Sequence, residues 1–90
     1  MNKWRFNITD SGNNDLEKLD HQIKERVIEK LKWLVKNFEY LAPIPLDEPL
    51  KGFFKLRIGS WRVVYDFESE KSLVTIYSID NRDSVYKKLK

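Results

Sequence analysis

Gly59-Ser60 lies between two runs of alternating residues, and this feature constrains the fold of the 90-residue chain more than any other. Phe54, Leu56 and Ile58 alternate with Lys55 and Arg57; Trp61, Val63, Tyr65 and Phe67 alternate with Arg62, Val64 and Asp66. A two-residue loop with glycine first suits a type II′ hairpin. That turn sets a register with Ile58 opposite Trp61, Arg57 opposite Arg62, Leu56 opposite Val63 and Lys55 opposite Val64. Side chains alternate across a strand, so Phe54, Leu56, Ile58, Trp61, Val63 and Tyr65 share one face, which must be covered by other apolar surface. The cover is legible too. Ile23, Val27, Leu31, Leu34 and Phe38 recur at helical spacing, with Ile28 and Val35 widening the stripe.

The remaining segments complete the order of elements. Trp4–Ile8 alternates and reads as a first strand. Thr9–Asn14 is turn chemistry; Asn14 followed by Glu17 reads as a capping box, opening a short helix that carries Leu16 and Leu19. Asp20 caps the second helix. Lys24 falls inside the apolar stripe and must carry its amine outward. Pro43, Pro45 and Pro49 end the helical region and impose an extended connection from Ala42 to Leu50. A last strand, Leu73–Ile79, is apolar on both faces apart from Thr75 and Ser78, and is expected to be the most buried. The expected architecture is α+β: an N-terminal strand, a helical hairpin, then a three-stranded antiparallel meander, forming one sheet with helices on one face. Residues 1–90 are read as a single domain.

Composition narrows the chemistry. Cysteine is absent, so neither disulfides nor thiolate metal sites are available. No apolar run is long enough to span a bilayer and no signal-peptide pattern is present, which makes a cytoplasmic location, with no membrane partner, the expectation. The one histidine, His21, sits at a helix start, with no acidic cluster to make a metal site and no set for a Ser/His/Asp triad. No cofactor is expected. Charge is lopsided: residues 1–50 carry a net −1 and residues 51–90 a net +4. An excess concentrated in this way suits a polyanion-facing surface, and is also found on ordinary basic proteins.

The hairpin register places Lys55, Arg57 and Arg62 on the face away from the apolar one, with Arg57 and Arg62 as direct cross-strand neighbours. Like charges so placed are destabilising unless an anion sits between them. Asp66 is one candidate anion; a phosphate, whose oxygens match guanidinium forks, is the other. The segment Asn81-Arg82-Asp83-Ser84-Val85-Tyr86 can turn Arg82 toward the same face. Tyr86 brings a ring able to stack on a base and a phenol able to carry a proton, or else anchors the tail beside Val85 and Leu89. Trp33, on the flank of the helical stripe, either packs on a loop or anchors a protein partner.

Leu56-Arg57-Ile58-Gly59-Ser60-Trp61-Arg62-Val63-Val64-Tyr65, followed by Ile79-Asp80-Asn81-Arg82-Asp83-Ser84-Val85-Tyr86, resembles the RelE branch of the RelE/ParE toxin superfamily. The resemblance implies a toxin of a type II toxin–antitoxin pair, with a RelE-like fold along the whole chain. It also implies a ribosome-dependent, metal-independent mRNA interferase that cuts the message in the ribosomal A site by attack of a ribose 2′-hydroxyl. Lys55, Arg62, Arg82 and Tyr86 match catalytic positions of that family, and Arg57 matches a basic groove position. With Lys51, Lys87 and Lys88, Arg57 makes up the expected RNA-binding set. The implied partners are a cognate antitoxin, in a hetero-oligomer to which Trp33 contributes, and the ribosome with its mRNA. One position departs from the pattern: Phe53 stands where RelE has a further lysine. The other readings are a ParE-like toxin that binds DNA gyrase without nuclease activity, and a degenerate RNA-binding domain.

Overall fold

The computed structural model describes residues 3–81. The first strand, β1 (Arg5–Ile8), alternates exposed and half-buried residues as its sequence requires. Two helices follow, α1 (Asp10–Glu17) and α2 (His21–Lys36), then a short 3-10 turn at Phe38–Tyr40. Strands β2 (Ile44–Pro45), β3 (Phe54–Ile58), β4 (Trp61–Glu68) and β5 (Leu73–Asn81) complete a mixed sheet of order β1-β5-β4-β3-β2, in which β1 runs parallel to β5.

The β3–β4 hairpin has the expected register at every pair: Ile58 with Trp61, Arg57 with Arg62, Leu56 with Val63 and Lys55 with Val64. Gly59 adopts φ +61° whereas Ser60 keeps a negative φ, the combination that distinguishes type II′ from type I′. The apolar side of this hairpin meets the α2 stripe. Val27, Leu31, Leu34, Val63, Val74 and Ile76 are almost wholly excluded from solvent, and Ile58, Tyr65 and Ile79 join the same cluster. At one end Trp4, Phe38, Phe54, Tyr65 and Phe67 pack as aromatic neighbours, with ring centroids 4.5 Å apart for Trp4–Phe38 and 4.9 Å for Phe38–Phe67.

Asp20 caps α2 as expected, accepting from the Ile23 amide at 3.1 Å. Lys24 carries its amine out of the stripe to Glu17 at 3.1 Å, joining α2 to α1. The first helix differs from the expectation. It begins at Asp10 and is capped by Thr9, whose side chain accepts from the Gly12 amide at 3.0 Å, so the Asn14/Glu17 pair lies inside the helix and Leu19 beyond it. Tertiary contact outweighs the poor helix propensity of Gly12, Asn13 and Asn14. A Cβ at Gly12 would stand 2.8 Å from the Ile76 carbonyl oxygen, so only glycine permits this approach of α1 to β5. The Asp15 carboxylate fastens the two by accepting from the Ile79 amide at 3.0 Å.

Two further differences concern the sheet. Within the extended connection, Ile44 and Pro45 pair with Lys55 and Phe54, adding an edge strand, a position where proline is tolerated. Strand β5 shares the deepest burial with β4 rather than exceeding it: Val74, Ile76 and Ile79 are buried in one, Val63, Val64 and Tyr65 in the other. The reason is an irregularity opposite Val64 and Tyr65, where the ladder steps from Ser78 to Ile76 and leaves Tyr77 as an extra residue. The step lets Ile76 and Ile79, three apart, both reach the core.

Candidate functional site

Strand alternation assigns Lys55, Arg57 and Arg62 to the sheet face away from the helices, and Arg57, near the β3–β4 turn, also borders the space against α2. Arg57 and Arg62 are cross-strand partners, with Arg57 exposed and Arg62 and Lys55 half-buried. On its other side Arg62 is in register with Asp80. No ion pair engages Lys55, Arg57 or Arg62 among the described residues, where the pairs formed are His21–Glu25, Lys24–Glu17, Lys32–Glu29 and Lys71–Glu68. The Nε of Arg62 is buried without a hydrogen-bond partner there. A buried guanidinium nitrogen left unpaired is costly.

The carboxylate expected to intervene, Asp66, is engaged elsewhere: it accepts from the Tyr77 hydroxyl at 3.0 Å. Burial, this hydrogen bond and the negative charges of Asp66 and Glu68 all push the Tyr77 phenol above its ordinary range. Tyr77 is thus a proton-bearing donor at neutral pH. Its ring meets Phe53 edge-on, with centroids 5.2 Å apart. Phe53, Tyr77, Val64, Arg62, Ser78 and Asp80 line a hollow of about 210 Å³ on this face, closed on one side by the loop that carries Leu50.

A larger hollow of about 800 Å³ lies between α2 and the β3–β4 turn. It brings together two residues assigned different roles from sequence, Trp33 and Arg57, along with Glu25, Arg26, Glu29 and Lys30. Trp33 is 40% exposed, and the Lys30 amine sits 3.8 Å from its ring centroid, within cation–π range. Lys51 is exposed and borders a separate hollow beside Asp47 and Glu48, apart from the one that holds Arg62. Arg82, Tyr86, Lys87 and Lys88 lie outside the described residues.

Tyr77 and Asp80 are site residues that the sequence alone does not single out. Strict alternation through β5 does not assign Tyr77 and Ser78 to one face, because the extra residue arises only on pairing with β4. Ile76 and Ile79 at a spacing of three, odd for a regular strand, were the available signal. Among the described residues no group of three His, Cys, Asp or Glu can hold a metal ion, and no helix is long and apolar enough to cross a membrane.

Two helices against a five-stranded mixed sheet are the fold of the RelE-type toxins. Residues 6–86 match the family model described as ParE toxin of type II toxin–antitoxin system, parDE, and the chain belongs to this family. Toxin RelG of Mycobacterium tuberculosis is 29% identical over 85 residues, covering 94% of this chain and 98% of that protein. The toxin–antitoxin complex RelBE2 of the same organism contains a chain with a TM-score of 0.79 and 28% identity, covering 89% of this chain and 99% of that one. The isolated Escherichia coli RelE toxin shares the fold, with a TM-score of 0.71 at 20% identity over 96% of this chain and 94% of RelE. Together they put the chain in the RelE branch of the RelE/ParE superfamily, as a toxin of a type II toxin–antitoxin system.

Proposed function

We propose that this toxin is a metal-independent endoribonuclease that cleaves messenger RNA in the ribosomal A site, acting in the cytoplasm. The observation that carries the reading is the unpaired cationic face, above all the buried Arg62 Nε without a partner beside the exposed Arg57. The reaction needs a proton removed from a ribose 2′-hydroxyl, stabilisation of the charge that develops on the phosphorane, and a proton given to the departing 5′-oxygen. The new bond is O2′–P and the broken bond P–O5′, leaving a 2′,3′-cyclic phosphate and a 5′-hydroxyl. Arg62 is suited to the phosphate charge and Lys55 to charge stabilisation or to proton removal. Arg82 and Tyr86 are the proposed contributors from the tail, Tyr86 by proton transfer or by stacking. Lys51, Arg57, Lys87 and Lys88 are proposed to bind RNA. The described residues supply no histidine pair, so orientation of the message by the ribosome carries part of the barrier; positioning alone is worth on the order of 7–11 kcal/mol in favourable cases.

A cognate antitoxin is the proposed protein partner, in a toxin–antitoxin hetero-oligomer. The hollow between α2 and the β3–β4 turn, with exposed Trp33 over a mixed-charge floor, is the proposed place of contact. A second reading, a toxin that binds DNA gyrase without cutting RNA, is favoured by Phe53 at a lysine position and by the ParE description of the matching family. Ribosomes carrying a defined message, compared with the same RNA free in solution, test the first reading. It predicts cleavage on the ribosome with 5′-hydroxyl ends. An intact message together with inhibited gyrase supercoiling would establish the second.

A further inference from the structure

Phe53 places an aromatic ring beside the cationic site. It meets Tyr77 edge-on at 5.2 Å, and both line the hollow that Arg62 enters. The Tyr77 hydroxyl is tethered to Asp66 at 3.0 Å, which fixes the orientation of its ring. At about 210 Å³ the hollow is smaller than the ~300 Å³ or more of a drug-sized ligand site, and it suits a single planar ring system. Its walls are of two kinds. Phe53, Tyr77 and Val64 supply apolar and aromatic surface, whereas the Asp80 carboxylate supplies acceptors only.

We propose that this hollow is a nucleobase subsite for the nucleotide whose phosphate Arg62 grips, and that it prefers bases with an exocyclic amino group over uracil. The two rings stand at 83° to each other, so a base stacked on one meets the other edge-on; this aromatic contact supplies sequence-tolerant affinity, and Asp80 accepts from the amino group. Uracil presents carbonyl oxygens where adenine and cytosine present amino groups, and carboxylate against carbonyl is repulsive. Phe53 is thus an element of base recognition. The inference rests on the ribonucleolytic reading only for the identity of the strand that enters the hollow.

Titration of the full chain with AMP, CMP, GMP, UMP and ribose 5-phosphate, followed by NMR of the aromatic side chains, tests it without requiring cleavage. AMP and CMP are expected to bind about 5- to 100-fold more tightly than ribose 5-phosphate and to shift the Phe53 and Tyr77 ring resonances. Phe53→Leu, which keeps apolar volume, and Tyr77→Leu should each erase most of that advantage, and Asp80→Asn should abolish discrimination against UMP. Nucleotides that bind no better than ribose 5-phosphate, or ring resonances that stay unmoved, would overturn the subsite; UMP binding as tightly as CMP would overturn the amino preference. Base-dependent binding in a protein that leaves ribosome-bound message intact would reject the nuclease reading and keep the subsite. Cleavage without base-dependent binding would do the reverse.

Discussion

The Tyr77 hydroxyl donates to the Asp66 carboxylate at 3.0 Å, and Arg62, on the same sheet face, is left with no ion-pair partner among the described residues. A hydrogen bond to a charged acceptor in a partly buried setting couples its two residues energetically. A double-mutant cycle of Tyr77→Phe and Asp66→Asn, measured by urea unfolding, is expected to give a coupling of about 1–2 kcal/mol.

Arg57 and Arg62 face each other across the ladder, an arrangement that costs stability in the absence of an anion. Arg57→Gln is therefore expected to leave the fold unchanged or raise its stability by a few tenths to about 1 kcal/mol. The same variant should bind single-stranded RNA more weakly, with a log–log salt slope shallower by about 0.7 for each phosphate that Arg57 neutralises. Higher stability together with weaker RNA binding marks a surface kept for a ligand rather than for the fold.

Gly12 allows α1 to approach the Ile76 carbonyl, and a Cβ there would stand 2.8 Å from that oxygen. Gly12→Ala improves helix propensity, yet is expected to destabilise the protein by about 1–3 kcal/mol, because the obstacle is backbone and cannot rotate aside. Thermal unfolding checks the sign.

Burial pushes the Tyr65 phenol up to about 12, and Tyr77 also titrates above its ordinary value of 10.0. Both groups hold their protons more tightly folded than unfolded, so their contribution is complete below pH 10 and is lost as pH rises through the folded values. For Tyr65 the loss between about pH 10 and pH 12 is on the order of 2 kcal/mol. Urea unfolding at pH 8 and pH 11 should show a smaller alkaline loss for Tyr65→Phe than for the parent chain.

The β3–β4 register was legible because period-two alternation and a glycine-first turn leave one alignment that keeps Leu56, Ile58, Trp61 and Val63 on a common face. The α2 stripe was legible for the same kind of reason, as was its Asp20 cap. Neither the start of α1 nor the floor of the site followed from local rules. The helix begins at Asp10 because Gly12 fits against β5, bringing together residues 64 apart in the chain. Tyr77 reaches the outer face because β5 gains a residue on pairing with β4, an outcome of two strands that neither one displays alone. Spacing along β4 makes Asp66 a candidate partner of Arg62, whereas the phenol from the neighbouring strand engages it.

Arg62, whose buried Nε has no hydrogen-bond partner among the described residues, is the residue proposed to grip the phosphate at which the message is cut. The most direct test is the single-turnover rate of cleavage of a ribosome-bound message by the parent chain and by Arg62→Ala, with thermal unfolding measured on the same samples. The rate is predicted to fall by about 10²–10³-fold, the effect of removing one donor to a developing oxyanion, while the protein still unfolds cooperatively. An Arg62→Ala protein that is folded and cuts at the parental rate would contradict this role.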